Sequence, residues 1–136
     1  MDRISKINYF AMDVANKPGE AARVLQELSH AGVNLLALSG FPRGRRAQLD
    51  FVPEDPAVFR KAMNRAKLKV RPKKTGFLVQ GEDRPGAVAD VLQRLADVNI
   101  NVTAVDAVSA EGGRYGAIIW VKPGDVRRAA KALQSV

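Results

Sequence analysis

Two short turns of similar sequence carry the residues best suited to binding a small molecule. The first is Asn16-Lys17-Pro18-Gly19 and the second is Asp83-Arg84-Pro85-Gly86. Each turn precedes an amphipathic segment that is predicted to be a helix. The unpaired N–H groups and the positive end of the dipole at a helix start favour a carboxylate, and glycine lets a ligand approach the backbone closely. Both turns therefore suit the carboxyl end of an amino acid.

Asparagine side chains add a second kind of contact, because a carboxamide both donates and accepts hydrogen bonds. Asn16 lies in the first turn, whereas Asn34 and Asn101 each precede a predicted strand. Asn16 and Asn34 have the donors and acceptors that could together hold the amino and carboxylate groups of one ligand. Asp83 replaces Asn16 in the second turn, where its negative charge repels a carboxylate and accepts from an ammonium group. The two turns are expected to differ in affinity, or only the first to bind.

Each of these residues also has a purely structural interpretation. An Asn or Asp before a helix is often only its N-cap, and Pro-Gly is often only a turn. An Asx turn would satisfy Asn34 and Asn101 without any ligand. Both interpretations stay open at this point.

Residues for catalysis or metal binding are not apparent in the sequence. The chain has no cysteine and one histidine, His30, near the end of the first predicted helix, with Asp97 at the equivalent place in the second half. A solvated surface position is therefore expected for His30. No nucleophile elbow, phosphate-binding loop or cluster of metal ligands is found, so we predict no enzyme activity and no cofactor. The lack of cysteine and of a long apolar stretch predicts a cytoplasmic protein.

An internal repeat organises these motifs. Shifting the sequence by 67 residues aligns the two turns, and the match continues without a gap. Matching pairs include Ala22/Ala89, Val24/Val91, Leu25/Leu92, Gln26/Gln93, Leu28/Leu95, Asn34/Asn101 and Pro56/Pro123. Each half must be a complete or nearly complete unit, and we predict modules at residues 1–72 and 73–136.

Each half is predicted to follow the order βαββα. Apolar residues with helical spacing, such as Val24 and Leu28, predict the helices, whose first turns are expected to include Pro18 and Pro85. Apolar runs bounded by turn residues predict strands at 9–14, 33–41, 47–52, 76–80, 100–108 and 115–121. A fourth strand is predicted at 68–71, where apolar and basic residues alternate. The second half has no counterpart, so its sheet is predicted to have three strands or to borrow one.

The formal net charge of +8 is confined to one segment. Residues 60–74 carry eight basic residues and no acidic one, whereas residues 1–59 and 75–136 each balance. The simplest interpretation is a solvated helix face followed by a charged edge strand and linker. The alternative is a contact with phosphates or with an acidic partner protein. No aromatic residue interleaves with the basic ones, so nucleic-acid binding through base stacking is not expected.

The duplicated pattern of strand, Asn/Asp-Lys/Arg-Pro-Gly turn, amphipathic helix, Gly-Val-Asn (32–34) or Asn-Ile-Asn (99–101) and hairpin resembles the ACT domain family. In particular, it resembles proteins made of two tandem ACT domains. The resemblance implies an α+β fold of two ferredoxin-like βαββαβ modules with antiparallel sheets, the second lacking a clear fourth strand. By motif position it assigns ligand contacts to Asn16, Lys17, Pro18, Gly19 and Asn34, and to Asp83, Arg84, Pro85, Gly86 and Asn101.

Two functions from different classes are therefore predicted. The first is a non-catalytic, homodimeric regulatory protein that binds an amino acid or related metabolite at an interface between ACT-like modules and acts on a separate enzyme. The alternative is an interaction module whose segment 60–74 binds nucleic acid or an acidic partner protein.

Overall fold

The computed structural model describes residues 2–136 and confirms the predicted βαββα order in both halves. The elements of the first half are β1 (Arg3–Ala15), α1 (Glu20–His30), β2 (Leu35–Arg43), β3 (Arg46–Pro53) and α2 (Pro56–Arg65). Those of the second half are β4 (Lys74–Glu82), α3 (Ala87–Asp97), β5 (Val102–Ala110), β6 (Arg114–Val121) and α4 (Val126–Leu133). A short 3-10 turn at Pro123–Asp125 precedes α4.

The chain divides into two compact units, and the division falls inside β1. The first unit comprises Asn8–Lys74, and the second comprises residues 2–7 together with Thr75–Val136. The predicted modules of 1–72 and 73–136 differ from these units mainly at the start of the chain. Residues 2–7 group with the later half of the sequence, although they are contiguous with the earlier half.

The first unit packs two helices on one face of a sheet with strand order β2-β3-β1. Both strand pairs are antiparallel, and alternate residues point into the core. Phe59 of α2 is fully buried, and its ring stacks on Phe10 at 4.8 Å and lies 5.5 Å from the ring of Phe51. Val24 and Leu28 bring the predicted apolar face of α1 onto the same core.

The predicted fourth strand at 68–71 is not formed as a strand. Leu68 and Val70 do pack against the core, as the alternating pattern predicted. However, the Arg71 N–H donates to the Ala11 carbonyl of β1 at 2.9 Å without a regular ladder forming around this bond. Pro72 follows directly and has no N–H to donate, so the hydrogen-bond ladder stops before it becomes regular. The segment is therefore extended chain along β1 and not a paired strand.

The second unit has the strand order β1-β4-β6-β5, with the start of β1 as an additional strand. Ile4 is 4% exposed and belongs to one core cluster with Phe77 and Val79 of β4. On the opposite edge of β1, the Val136 N–H donates to the Ile4 carbonyl at 2.9 Å, and the Lys6 N–H donates to the Val136 carbonyl at 3.2 Å. The second half was predicted to have three strands or to borrow a fourth. The structure shows the latter, since the start of β1 supplies the fourth strand of this sheet.

Candidate functional site

The first candidate turn is exposed and ends in a left-handed glycine. Asn16, Lys17, Pro18 and Gly19 all lie at the surface between β1 and α1. Gly19 has a φ of 87° and is the N-cap of α1, which begins at Glu20. The expectation that Pro18 lies in the first helical turn is therefore wrong, because the left-handed glycine separates it from the helix. A residue with a side chain is strained at this φ, which explains why glycine stands there.

The second candidate turn has the same backbone. Gly86, with a φ of 83°, is the N-cap of α3, which begins at Ala87, so Pro85 also lies outside its helix. The Asp83 N–H donates to the Gly113 carbonyl in the β5–β6 hairpin at 2.8 Å. This bond fixes the turn against the hairpin at the same end of the sheet.

Neither turn provides a side-chain cap for its helix. No side chain of the described residues accepts from the first-turn N–H groups of α1 or α3, so Asn16 and Asp83 are not N-cap residues. In contrast, the Asp55 carboxylate caps α2 by accepting from the N–H groups of Ala57 and Val58. The first N–H of each helix has a backbone acceptor instead, since Glu20 donates to the Lys17 carbonyl at 3.5 Å and Ala87 donates to the Arg84 carbonyl at 3.2 Å. Carboxylate binding at these helix starts stays a prediction.

The register of the first sheet separates Asn34 from the first turn. Ala15 at the end of β1 lies opposite Arg46 of β3, whereas Leu35 at the start of β2 lies opposite Pro53 at the other end of β3. Given the rise per residue of a strand, Asn16 and Asn34 are more than about 20 Å apart. Within one unit, these two side chains are therefore too far apart to hold a single ligand together.

The same separation holds in the second unit. Glu82, directly before the second turn, lies opposite Arg114 at the start of β6, whereas Val102, directly after Asn101, lies opposite Val121 at its end. In each unit, the two sets of residues assigned to the ligand occupy opposite ends of the sheet. One ligand can meet both sets only if a second module supplies one of them.

Asn34 also has a structural partner that the sequence did not reveal. Its Nδ2 donates to Glu54 Oε2 at 2.7 Å, and its carbonyl accepts from the Glu54 N–H at 2.9 Å. Asn101 stands at the same place in the second unit and is exposed. Val121, which is 67 residues after Glu54, has no carboxylate to accept such a bond. Asn101 is thus the less constrained of the two asparagines.

Charge distinguishes the two turns. At the first turn, Lys17 lies 3.6 Å from Glu20, whose pKa is lowered chiefly by its hydrogen bond from Arg23. At the second turn, Arg84 Nη2 binds the Asp90 carboxylate at 2.6 Å, and this hydrogen bond raises the pKa of Arg84. Asp2 contributes a further negative charge near Arg84. Together with Asp83, these carboxylates disfavour an anion at the second turn, and the difference in affinity between the two turns stays a prediction.

Three arginines near the first turn were missed in the sequence. Arg43, Arg45 and Arg46 form the β2–β3 hairpin, and the pairing of Arg46 with Ala15 places this hairpin at the end of the sheet that carries the first turn. Arg46 Nη2 donates to the Asp13 carbonyl at 3.3 Å, and Arg43 Nη1 donates to Gln48 Oε1 at 3.0 Å. The length of the β2–β3 hairpin is the signal that could have identified these arginines, because it determines which residues lie beside the end of β1.

The remaining candidates for chemistry stay at the surface. His30 is exposed at the end of α1, as predicted. Among residues 2–136, no three His, Asp or Glu side chains converge in a way that would hold a metal ion.

Alkaline pH should destabilise the second unit through Tyr115. Burial, and then the Asp2 carboxylate, raise the pKa of Tyr115 from 10.0 to about 12. Because the folded state holds this proton more tightly, the contribution to stability is complete below pH 10.0 and is lost as pH rises towards about 12. Urea unfolding followed by circular dichroism across this range should show a falling midpoint, and Tyr115→Phe should flatten the fall. Identical pH profiles for the two proteins would contradict this assignment.

Two helices packed on an antiparallel sheet, repeated along the chain, define an α+β protein of the ferredoxin-like class. Within it, residues 76–136 match the model of the ACT domain family. This confirms the resemblance for the second half of the chain. No curated protein matches the chain in sequence.

Solved structures share this fold over nearly the whole chain. Protein BT0572 from Bacteroides thetaiotaomicron has a TM-score of 0.78 at 20% identity, covering 98% of this chain and 88% of that one. The regulatory subunit of aspartate kinase from Thermus thermophilus has a TM-score of 0.64 at 20% identity, covering 98% and 94%. The corresponding subunit from Thermus flavus has a TM-score of 0.61 at 20% identity, covering 98% and 94%. At these identities, the likeness establishes the fold.

Within residues 2–136, no helix combines the length and the apolar character that a membrane crossing requires.

Proposed function

We propose that this protein is a non-catalytic regulatory protein with two tandem ACT-like modules, and that it binds an amino acid or a related small metabolite. The observation that carries the proposal is the pair of exposed Pro-Gly turns leading into helices without side-chain caps. A helix start without a side-chain cap presents the positive end of the helix dipole to a carboxylate. The ACT match at residues 76–136 and the fold shared with regulatory subunits of aspartate kinase support a regulatory role.

We further propose that the ligand binds where modules of two copies of the chain meet. The register supports this, because the turn and the asparagine at the start of the second strand occupy opposite ends of each sheet. A copy in the reverse orientation would bring Asn34 or Asn101 of one chain to the turn of the other. The edge strand β2 favours such pairing, since Leu36, Leu38 and Phe41 are each more than 40% exposed.

The first turn is the preferred site in this proposal. It carries Asn16 in place of Asp83, and its neighbours include the arginines of the β2–β3 hairpin. The second turn, with its carboxylates, would serve mainly to complete the interface or would bind with lower affinity.

A thermal-shift screen against the amino acids and common metabolites tests this function. A ligand present at a hundred times its Kd adds about 2.7 kcal/mol to the free energy of unfolding, which corresponds to a rise in Tm of several degrees. Asn16→Ala should abolish most of this rise, because the carboxamide lies in the binding turn. Gln26→Ala is the matched control, since it removes an exposed amide from α1 away from the turn.

Two results would count against the proposal. A saturating panel that never raises the Tm would argue against small-molecule binding altogether. A rise that is identical in the wild type and in an Asn16→Ala, Asn34→Ala double variant would leave the function standing and remove the site.

A further inference from the structure

A groove of about 240 Å³ lies in the first unit between α2 and the extended residues 70–73. Its apolar lining includes Phe10, Met63 and Val70, and its cationic side chains include Arg60 and Lys73. Phe10 and Met63 are 2% and 1% exposed, so the floor of the groove is part of the packed core and is held rigidly. A groove of this size accommodates one apolar side chain from outside.

Arg60 is placed at this groove by an aromatic contact. Its guanidinium carbon lies 5.4 Å from the centre of the Phe10 ring, a cation–π arrangement that holds the charge over the floor. Lys73 lines the groove from the extended segment. Neither residue has an ion-pair partner among residues 2–136, so both charges are available to an incoming carboxylate.

Residues 60–74, which include part of the groove, carry eight basic residues and no acidic one. Of these eight basic residues, Arg71 alone forms an ion pair within the described chain, with Nη2 at 2.7 Å from Asp13 Oδ2. The other seven are exposed: Arg60, Lys61, Arg65, Lys67, Lys69, Lys73 and Lys74. Residues 8–74 contain thirteen basic and six acidic residues, a net charge of +7. A field of this kind attracts a partner with several negative charges.

From the groove and its charge, we propose that this surface binds an acidic peptide segment of a partner protein, with one apolar side chain of that segment seated in the groove. The positive charges begin on α2, which alone is about 15 Å long, and continue beyond it, so one small anion reaches only a few of them. A peptide with several carboxylates can meet many at once. Single-stranded nucleic acid fits less well, because the Phe10 ring is too buried to offer a face for base stacking.

Fluorescence anisotropy with the full chain and a labelled synthetic peptide tests this assignment. The probe peptide consists of glutamates around a single central leucine, and its control has serine in place of the leucine. The leucine peptide should bind at least about fivefold more tightly, because only its side chain fills the groove. An Arg60→Gln, Lys73→Gln double variant should weaken this binding by about tenfold.

The matched control variant is Lys61→Gln, Lys69→Gln, which removes two exposed cations of the same segment outside the groove. It should weaken binding by only about twofold, since it changes the field and not the contacts. Arg60→Lys, which keeps the charge, should recover part of the lost affinity. Circular dichroism should show that each variant stays folded, because all these positions are exposed.

Three outcomes would overturn the proposal: equal binding of the two peptides, equal losses in the two double variants, or no binding at low salt. Tighter binding of a single-stranded oligonucleotide, lost in the Arg60→Gln, Lys73→Gln variant, would also overturn it and assign the surface to nucleic acid. None of these results depends on the small-molecule site at the turns.

Discussion

Replacing Ile4 with alanine should lower the free energy of unfolding of the second unit by about 2–5 kcal/mol. Ile4 is 4% exposed and packs in one cluster with Phe77 and Val79, although more than seventy positions separate it from them in sequence. Truncation leaves a cavity in this core cluster, and the loss of buried methyl groups is added to the cost of that cavity. The effect is expected in the unit built mainly from Thr75–Val136.

The single tryptophan makes this effect measurable in the unit concerned. Trp120 lies on β6 and is 7% exposed, so its fluorescence reports unfolding of the second unit. Urea titrations should show a markedly lower midpoint for Ile4→Ala. Lys6→Ala is the control, because Lys6 lies two residues along the same strand but is exposed, and it should change stability by less than about 0.5 kcal/mol. Equal midpoints for the two variants would mean that residues 3–7 do not complete this sheet.

Phe59→Ala should lower the free energy of unfolding of the first unit by about 3–5 kcal/mol. Its ring is fully buried and contacts the rings of both Phe10 and Phe51, so truncation removes apolar burial and two aromatic contacts together. A loss of this size approaches the whole stability of a small domain, so the variant is expected to be partly unfolded at room temperature.

A graded series keeps this second effect measurable. Phe59→Leu retains most of the side-chain volume. It should therefore lower the free energy of unfolding by less than Phe59→Ala does. Val58→Ala is the control on the same helix, because Val58 is 37% exposed and its truncation should be nearly neutral. Far-UV circular dichroism during urea unfolding measures all three variants. If Val58→Ala and Phe59→Ala cost the same, the aromatic cluster does not organise this core.

The helices and paired strands could be predicted because their signals are local. Val24 and Leu28, for example, follow the spacing of a helix that buries one face, and burial in the structure confirms it. The prolines of the turns misled the prediction of helix starts, since Pro18 and Pro85 suit a first helical turn. The left-handed conformation of Gly19 and Gly86 decides the outcome, and it depends on how the chain leaves the preceding strand.

The fourth strands show where local patterns stop being sufficient. Residues 68–71 alternate as a strand should, but Pro72 ends the hydrogen bonding and Lys67, with a φ of 57°, turns the chain out of α2. Conversely, Ile4 stands among polar residues and gave little sign of a core position. Whether a segment is a strand depends on a partner far away in sequence, and nothing within the segment identifies that partner.

The candidate site was predicted in parts but not in its arrangement. The turns, their glycines and the missing side-chain caps of the helices that follow can be inferred from the residue types in each turn. The separation of Asn16 from Asn34, and the bond between Asn34 and Glu54, depend on strand register, which the sequence leaves unspecified. The position of the β2–β3 hairpin arginines beside the first turn depends on the same register.

The divided course of β1 also has a consequence for the order in which the chain folds during its synthesis. Residues 8–74 can fold once they have left the ribosome, since they form a compact unit among themselves. Residues 2–7 emerge earlier than these, yet their partners in Thr75–Val136 are made later than the whole of the first unit. Residues 2–7 therefore stay unpaired until residues 75–136 have been made. Its pairing closes a long loop, which is a slow kind of contact to form, so completion of the second sheet should be the late step in refolding.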